Sequence, residues 1–213
     1  MTVRTTVHLV RHGEVFNPEK LLYGRLPGYR LSSLGETMAQ VTGEWLSSRD
    51  ITHLVSSPLE RAQQTAAPLA AMRGLQVHLD ANVIEAENVF EGQRVSVGDG
   101  VLRQPAAWRH LYNPFRPSWG EPYVDLAARM RIGITAARDA ARGHEAAIIS
   151  HQLPIWIARL DAEKRRFWHD PRSRECSLAS VTSLHFDDDV LAGVSYAEPS
   201  AHLVAVSNKG VGA

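Results

Sequence analysis

The chain is poor in cysteine: Cys176 is the only one among 213 residues. A disulfide needs two thiols and a cysteine-based zinc site needs more, so the chain can form neither internally. A lone thiol fits a reducing compartment. An excess of one charge is also missing, since Lys plus Arg and Asp plus Glu both number 23. That balance gives no reason to expect a nucleic-acid or anionic-membrane surface, although a few local cations are enough to hold a small phosphorylated molecule. The opening stretch 1–10 is interrupted by Arg4 and His8. It has no signal-peptide layout and is too short to span a bilayer, so a cytoplasmic protein without a membrane partner is expected. No G-x-G-x-x-G follows the first apolar stretch, which disfavours a dinucleotide-binding protein. The ten histidines show no HxH spacing and no metal-site cluster with supporting carboxylates, so neither a metal nor a cofactor is expected.

What is present is a chain with 44% hydrophobic residues, enough for a real core and, by length, one domain over 1–213. Residues 5–10 read as a β-branched strand entering a turn at Arg11-His12-Gly13. Ser33-Leu34-Gly35-Glu36 has the form of a capping box, and Leu34, Met38, Val41 and Trp45 recur at helical spacing. A strand over 53–56 leads into a second box at Ser57-Pro58-Leu59-Glu60, then a helix closing at Gly74. A strand over 75–79 follows. The pattern then loosens, and the stretch 93–120 reads as a lid or insertion, a packed excursion or an oligomer contact. A long amphipathic helix from Tyr123 towards Gly143, a buried-type strand over 146–150, a helix after Pro154 and a hairpin of strands 180–186 and 190–196 complete the pattern. The tail after Pro199 reads as irregular. Strand–helix alternation of this kind predicts an α/β fold, a three-layer α/β/α sandwich around a mostly parallel sheet. Ligands in such sheets sit outside the carboxyl ends of the strands. His12, Arg61 and His151 each follow a strand end, so topology alone predicts that they converge there.

Arg11-His12-Gly13-Glu14 is the most informative tetrapeptide. A histidine attacks phosphorus only with one ring nitrogen unprotonated and aimed at it, and a guanidinium matches phosphate oxygens bidentately. A strand-end Arg-His pair with a turn glycine is the plainer reading of those four residues alone. Taken singly, Arg61 reads as a solvated helix arginine and His151 as a strand-end core histidine.

The blocks together resemble the histidine phosphatase superfamily, which contains cofactor-dependent phosphoglycerate mutases and many phosphatases. The resemblance rests on Leu9-Val10-Arg11-His12-Gly13-Glu14, Asn17, 31–35, Ser56-Ser57-Pro58-Leu59-Glu60-Arg61-Ala62, the acidic stretch 85–92 and Ser150-His151, in the family's order. It implies a phosphoglycerate mutase-like fold and a metal-independent phosphomonoester hydrolase working through a phosphohistidine. His12 would accept the phosphoryl group, while Arg11, Arg61 and His151, the last as an imidazolium, hold its oxygens. The family's acid lies between the third strand and the long helix. The resemblance points to Glu85, with Glu87 as the alternative and Glu91 serving the turn before Gly92. Asn17 would donate to the phosphate, Gly24 would offer a backbone N–H, and Arg25 is a lesser candidate beside it. Gln152 stands where many members have glycine and adds an amide next to the phosphate. Arg94, Arg103, Trp108, Arg109, Arg116 and Trp119 do not follow the mutase pattern for phosphoglycerate. His169-Asp170-Pro171-Arg172 and Arg174 form a further polar cluster that reads as structural or rim rather than catalytic.

Three functions follow from these residues. The leading one is a phosphatase for a small phosphorylated metabolite. The second is a phosphoglycerate mutase-type phosphomutase, disfavoured by the short chain and the unfamiliar 93–120 stretch. The third is a non-catalytic phospho-ligand-binding protein, which would have no use for a nucleophile. The sequence does not fix the assembly, for which a homodimer is the working expectation.

Overall fold

Apolar and β-branched residues at Arg4–Arg11 form the first strand, β1. Their alternation sends Val7 and Leu9 to one face of the sheet and His8 and Val10 to the other. The structure is a computed structural model that describes residues 2–94 and 120–204. After β1 come α1 (Ser33–Ser47), β2 (Ile51–Ser56), α2 (Glu60–Arg73), β3 (Val77–Leu79) and a 3-10 turn at Ala81–Val83. Then follow α3 (Tyr123–Ala140), β4 (Glu145–Ser150), α4 (Gln152–Ala162), a 3-10 turn at Pro171–Ser173, β5 (Val181–Asp187), β6 (Val190–Ala197) and a short α5 (Ala201–Val204). Apart from its ends, the expected lid at 93–120 lies outside the described residues, together with Arg103, Trp108, Arg109, Arg116 and Trp119.

The strands form one sheet in the order β3-β2-β4-β1-β5-β6. β3, β2, β4 and β1 run parallel, while β5 and β6 add an antiparallel hairpin at one edge. Helices cover both faces, so the fold is α/β with a mixed sheet of six strands. On one face Val7, Leu9 and Ile148 pack under Leu126 and Met130 of α3 and Ile155 and Ile157 of α4. On the other, Val10, Ala147 and Ile149 pack under Leu46 of α1 and Ala62 and Leu69 of α2. Each large side chain so buried stabilises the fold by about 1.5–3 kcal/mol relative to exposure. That packing makes the strand ends a rigid platform.

Several local expectations shift. The cap of α1 is Ser32, not Ser33: its hydroxyl accepts from Gly35 N at 3.0 Å. The neighbouring serines are chemically equal, and the one with extended backbone takes the role. α2 starts at Glu60 after Leu59, without a side-chain cap. The Ser57 hydroxyl, expected to cap it, reaches Leu59 N only at 3.3 Å and is shared with the site described below. β3 begins at Val77 rather than at residue 75, because Leu75 N is spent on Ala70 O in closing α2 beyond Gly74. β2 begins earlier, at Ile51, across a register shift between Ile51 and His53. α4 begins at Gln152, before Pro154 rather than after it, since a proline in the first turn forfeits no helical hydrogen bond. The tail after Pro199, expected to be irregular, contains the single turn of α5, whose Leu203 and Val204 amides donate to Ser200 O.

Candidate active site

β2, β4 and β1 are neighbours in the sheet, so the residues leaving their carboxyl ends are brought together. His12 N donates to Ser150 O at 3.1 Å and Ser57 N to Ile149 O at 2.9 Å, which extends the ladder one residue past the strands. The turn after β1 lies against the start of α1 with no room for side chains. A Cβ on Gly13 would sit 2.4 Å from Gly35 O, and one on Gly35 would sit 2.0 Å from Glu14 O. Thr65 locks the same turn from α2, accepting from Gly13 N at 3.1 Å and donating to Arg61 O at 2.8 Å.

His12 is fully buried. Its Nδ1 lies 2.8 Å from Gly13 O, and a carbonyl can only accept, so Nδ1 carries the proton. Its Nε2 accepts from Arg61 Nε at 3.3 Å. This tautomer leaves the Nε2 lone pair pointing into the site. Burial, then the charges of Arg61 and Arg11, hold the ring well below its usual pKa and keep it neutral. Arg61 is buried to 1% exposure; its Nη2 donates to Gly24 O at 2.7 Å and its guanidinium lies 4.8 Å from the centre of the Tyr23 ring. Arg11 donates from Nη1 to Cys176 O at 2.8 Å.

The His151 ring centre lies 5.1 Å from that of His12. His151 Nε2 is 2.8 Å from Ser57 Oγ, while its buried Nδ1 has no hydrogen-bond partner. Burial, then Arg61, His12 and Arg11, lower its pKa well below the ordinary imidazole value. These surroundings favour the neutral ring over the imidazolium expected from the sequence. Glu85 faces it, with Oε2 3.9 Å from His151 Nδ1 and likewise unpartnered. Burial raises the Glu85 pKa, against the opposing pull of the Ala86 N–H, Arg61, Arg11 and Arg174. The other two glutamates of the loop are differently used. Glu87 is exposed and pairs with Arg25 at 2.7 Å, and Glu91 accepts from Arg25 N at 2.9 Å.

The remaining predicted residues lie around this centre with other partners. The Asn17 amide bonds to Leu21 through both its ends, donating to O at 2.8 Å and accepting from N at 3.1 Å, and so closes its own turn. The Gly24 carbonyl accepts from Arg61 Nη2. Gln152 Oε1 accepts from Arg174 Nη1 at 3.3 Å, and Gln152 Nε2 donates to Cys176 O at 3.4 Å. Arg174 also donates from Nε to His169 Nε2 at 2.9 Å, which ties the rim cluster to the residue after His151. Sequence reasoning gave no role to Tyr23, to Thr65 or to the carbonyl of Cys176. Tyr23 beside a candidate glycine was a usable signal, whereas a main-chain carbonyl leaves none. Among the described residues, no group of three or more His, Cys, Asp or Glu is placed to hold a metal ion.

Residues 7–198 match the sequence model of the histidine phosphatase superfamily (branch 1). The chain belongs to that superfamily. The uncharacterized protein Rv0525 of Mycobacterium tuberculosis strain H37Rv is 54% identical over 201 residues, covering 94% of this chain and 100% of the relative. The "Probable phosphoglycerate mutase GpmB" of Salmonella choleraesuis is 28% identical over 193 residues, covering 82% of this chain and 83% of its own. The structure of mycobacterial glucosyl-3-phosphoglycerate phosphatase Rv2419c with VO3 superimposes with a TM-score of 0.72 at 24% identity, over 90% of this chain and 96% of that one. At that identity the likeness is one of fold. No described helix is long and apolar enough to cross a membrane.

Proposed function

We propose that this histidine phosphatase superfamily member hydrolyses a small phosphomonoester through a phosphohistidine on His12. The observation that carries the reading is the tautomer of His12: Nδ1 is committed to Gly13 O, and among the described residues the unprotonated Nε2 accepts only from the Arg61 guanidinium. A neutral, oriented imidazole beside two guanidiniums is what in-line attack on a phosphate dianion requires.

In the first half-reaction the Nε2 lone pair forms a bond to phosphorus, and the bond to the ester oxygen breaks. Glu85, whose pKa burial raises, gives its proton to that oxygen, and the alcohol leaves. Arg61 exchanges its bond to Nε2 for one to a phosphoryl oxygen, beside Arg11. The incoming dianion favours uptake of a proton by His151 from solvent or from the monoanionic ester, and its Nδ1 then donates to the anion until phosphate leaves with that proton. In the second half-reaction water gives its proton to Glu85 and attacks phosphorus, and the bond to Nε2 breaks. The products are alcohol and inorganic phosphate, with the enzyme restored.

The same machinery returns the phosphoryl group to a second hydroxyl if water is kept out, and the similarity to a protein named a probable mutase supports that second reading. The assay is release of nitrophenol from p-nitrophenyl phosphate in EDTA, with His12→Ala in parallel. The expected result is turnover without metal that falls to background in the variant. Turnover only with added metal contradicts the mechanism, and no turnover on any phosphoester points to a binder. With 3-phosphoglycerate and its bisphosphate activator, phosphate release marks the phosphatase and isomerisation the mutase.

A further inference from the structure

Among the described residues, no other side chain hydrogen-bonds to the Glu85 carboxyl. Its Oε1 accepts only from the next residue's amide, Ala86 N, at 2.8 Å, and Oε2 has no partner. The direction of the carboxyl therefore follows the main chain of 85–86, which is irregular and lies just beyond the 3-10 turn at Ala81–Val83. Irregular backbone holds one position only if its polar groups are anchored.

The anchor is made of two arginines from distant parts of the chain. Arg25 Nε donates to Glu85 O at 2.7 Å, and Arg129 Nη2, from α3, donates to the same oxygen at 3.2 Å. Arg129 Nη1 also donates to Asn82 O at 2.6 Å, so one guanidinium spans both ends of the bend from Asn82 to Glu85. Glu121 joins the two cations. It takes Arg129 Nε at 2.7 Å on Oε1, and both Arg129 Nη2 at 2.9 Å and Arg25 Nη2 at 3.2 Å on Oε2. Arg25 is further paired to Glu87, so the positive charge is balanced outside the site. Arg129 and Glu121 are 15% and 13% exposed, which shields these bonds from competing water.

We propose that Arg25, Glu121 and Arg129 form a clamp that positions the proton donor of the reaction by gripping its carbonyl. The inference rests on Glu85 as the acid and deepens that reading. Misplacing a catalytic group by about 1 Å costs on the order of 100-fold in rate, so a loosened clamp mimics partial loss of the acid. The clamp is a positioning device: none of its side chains needs to touch substrate.

Its test is the rate of phosphoenzyme formation, followed by rapid quench with two esters. Dinitrophenyl phosphate has a leaving group that departs unprotonated, whereas glycerol phosphate needs the acid. Arg129→Ala is expected to slow the glycerol ester roughly 10- to 100-fold and the dinitrophenyl ester less than about threefold. The extra loss is expected to vanish when Arg129→Ala is combined with Glu85→Gln, because two residues acting through one proton are not additive. Glu121→Gln keeps the shape while weakening the grip, and tests the same selective loss if Arg129→Ala folds poorly. Equal slowing of both esters, or full additivity with Glu85→Gln, overturns the clamp and leaves the phosphohistidine reading standing. No phosphoenzyme from the unaltered chain with either ester overturns both.

Discussion

Two buried histidines stand four residues apart on the same stretch of chain, and their surroundings are opposite in kind. His8, in the middle of β1, has both ring nitrogens engaged: Nδ1 is 2.8 Å from Ser183 Oγ and Nε2 is 2.5 Å from Glu145 Oε2. His12, past the end of β1, has one nitrogen spent on its own turn and the other facing a cation. Its neighbours His151 and Glu85 each keep a buried polar atom without a partner. Buried polar groups are normally satisfied, and a cluster that leaves several open is poised for a ligand. The His8 cluster is closed and serves the fold. The His12 cluster is open, and under the proposed function it serves chemistry.

The largest effect that separates the two clusters is expected at Glu85. Glu85→Gln removes the proton and is expected to lower kcat on an alkyl phosphate by about 10²- to 10⁴-fold, with the thermal melting curve close to that of the unaltered chain. The pH profile gives the sign. Burial raises the Glu85 pKa, so the acid form persists above the ordinary carboxylate range, and the phosphorylation rate falls as pH rises through the raised value. That descending limb should be absent in Glu85→Gln, and its persistence would assign the proton to another group.

A smaller and opposite effect is expected at His8. His8→Phe strips Ser183 and Glu145 of a partner and is expected to cost about 1–3 kcal/mol of stability by denaturant unfolding. The lower end is expected, because Glu145 is 26% exposed and regains water. Activity per folded molecule should stay within about twofold, since the effect belongs to the fold and not to the barrier. A folded His8→Phe protein without activity would erase the distinction between the two clusters.

The convergence of His12, Arg61 and His151 was legible in the sequence because it depends on topology. Each follows a parallel strand, and adjacent parallel strands end on the same edge. Glu85 was less legible. Three glutamates share its loop, and the choice among them depends on burial and on arginines from residues 25 and 129, which no local pattern links. Hydroxyl and amide side chains were less legible for a related reason. Ser57 as a helix cap and Asn17 as a phosphate donor are both sound by residue type, yet each can bond in several ways. Ser57 is turned to His151 and Asn17 to Leu21. Arg25 looked like a lesser substrate contact, and three glutamates occupy it instead. Charge balance across the whole chain was silent on all of these, because a total does not record where the charges lie.

The central claim is a covalent bond between phosphorus and one ring nitrogen. Mixing enzyme with an excess of phosphomonoester, quenching in alkali and mapping the phosphoryl group by peptide mass spectrometry tests it directly. The account predicts one acid-labile phosphoryl group on His12, absent from His12→Ala. A phosphoryl group on another residue, or one that survives in His12→Ala, would contradict it.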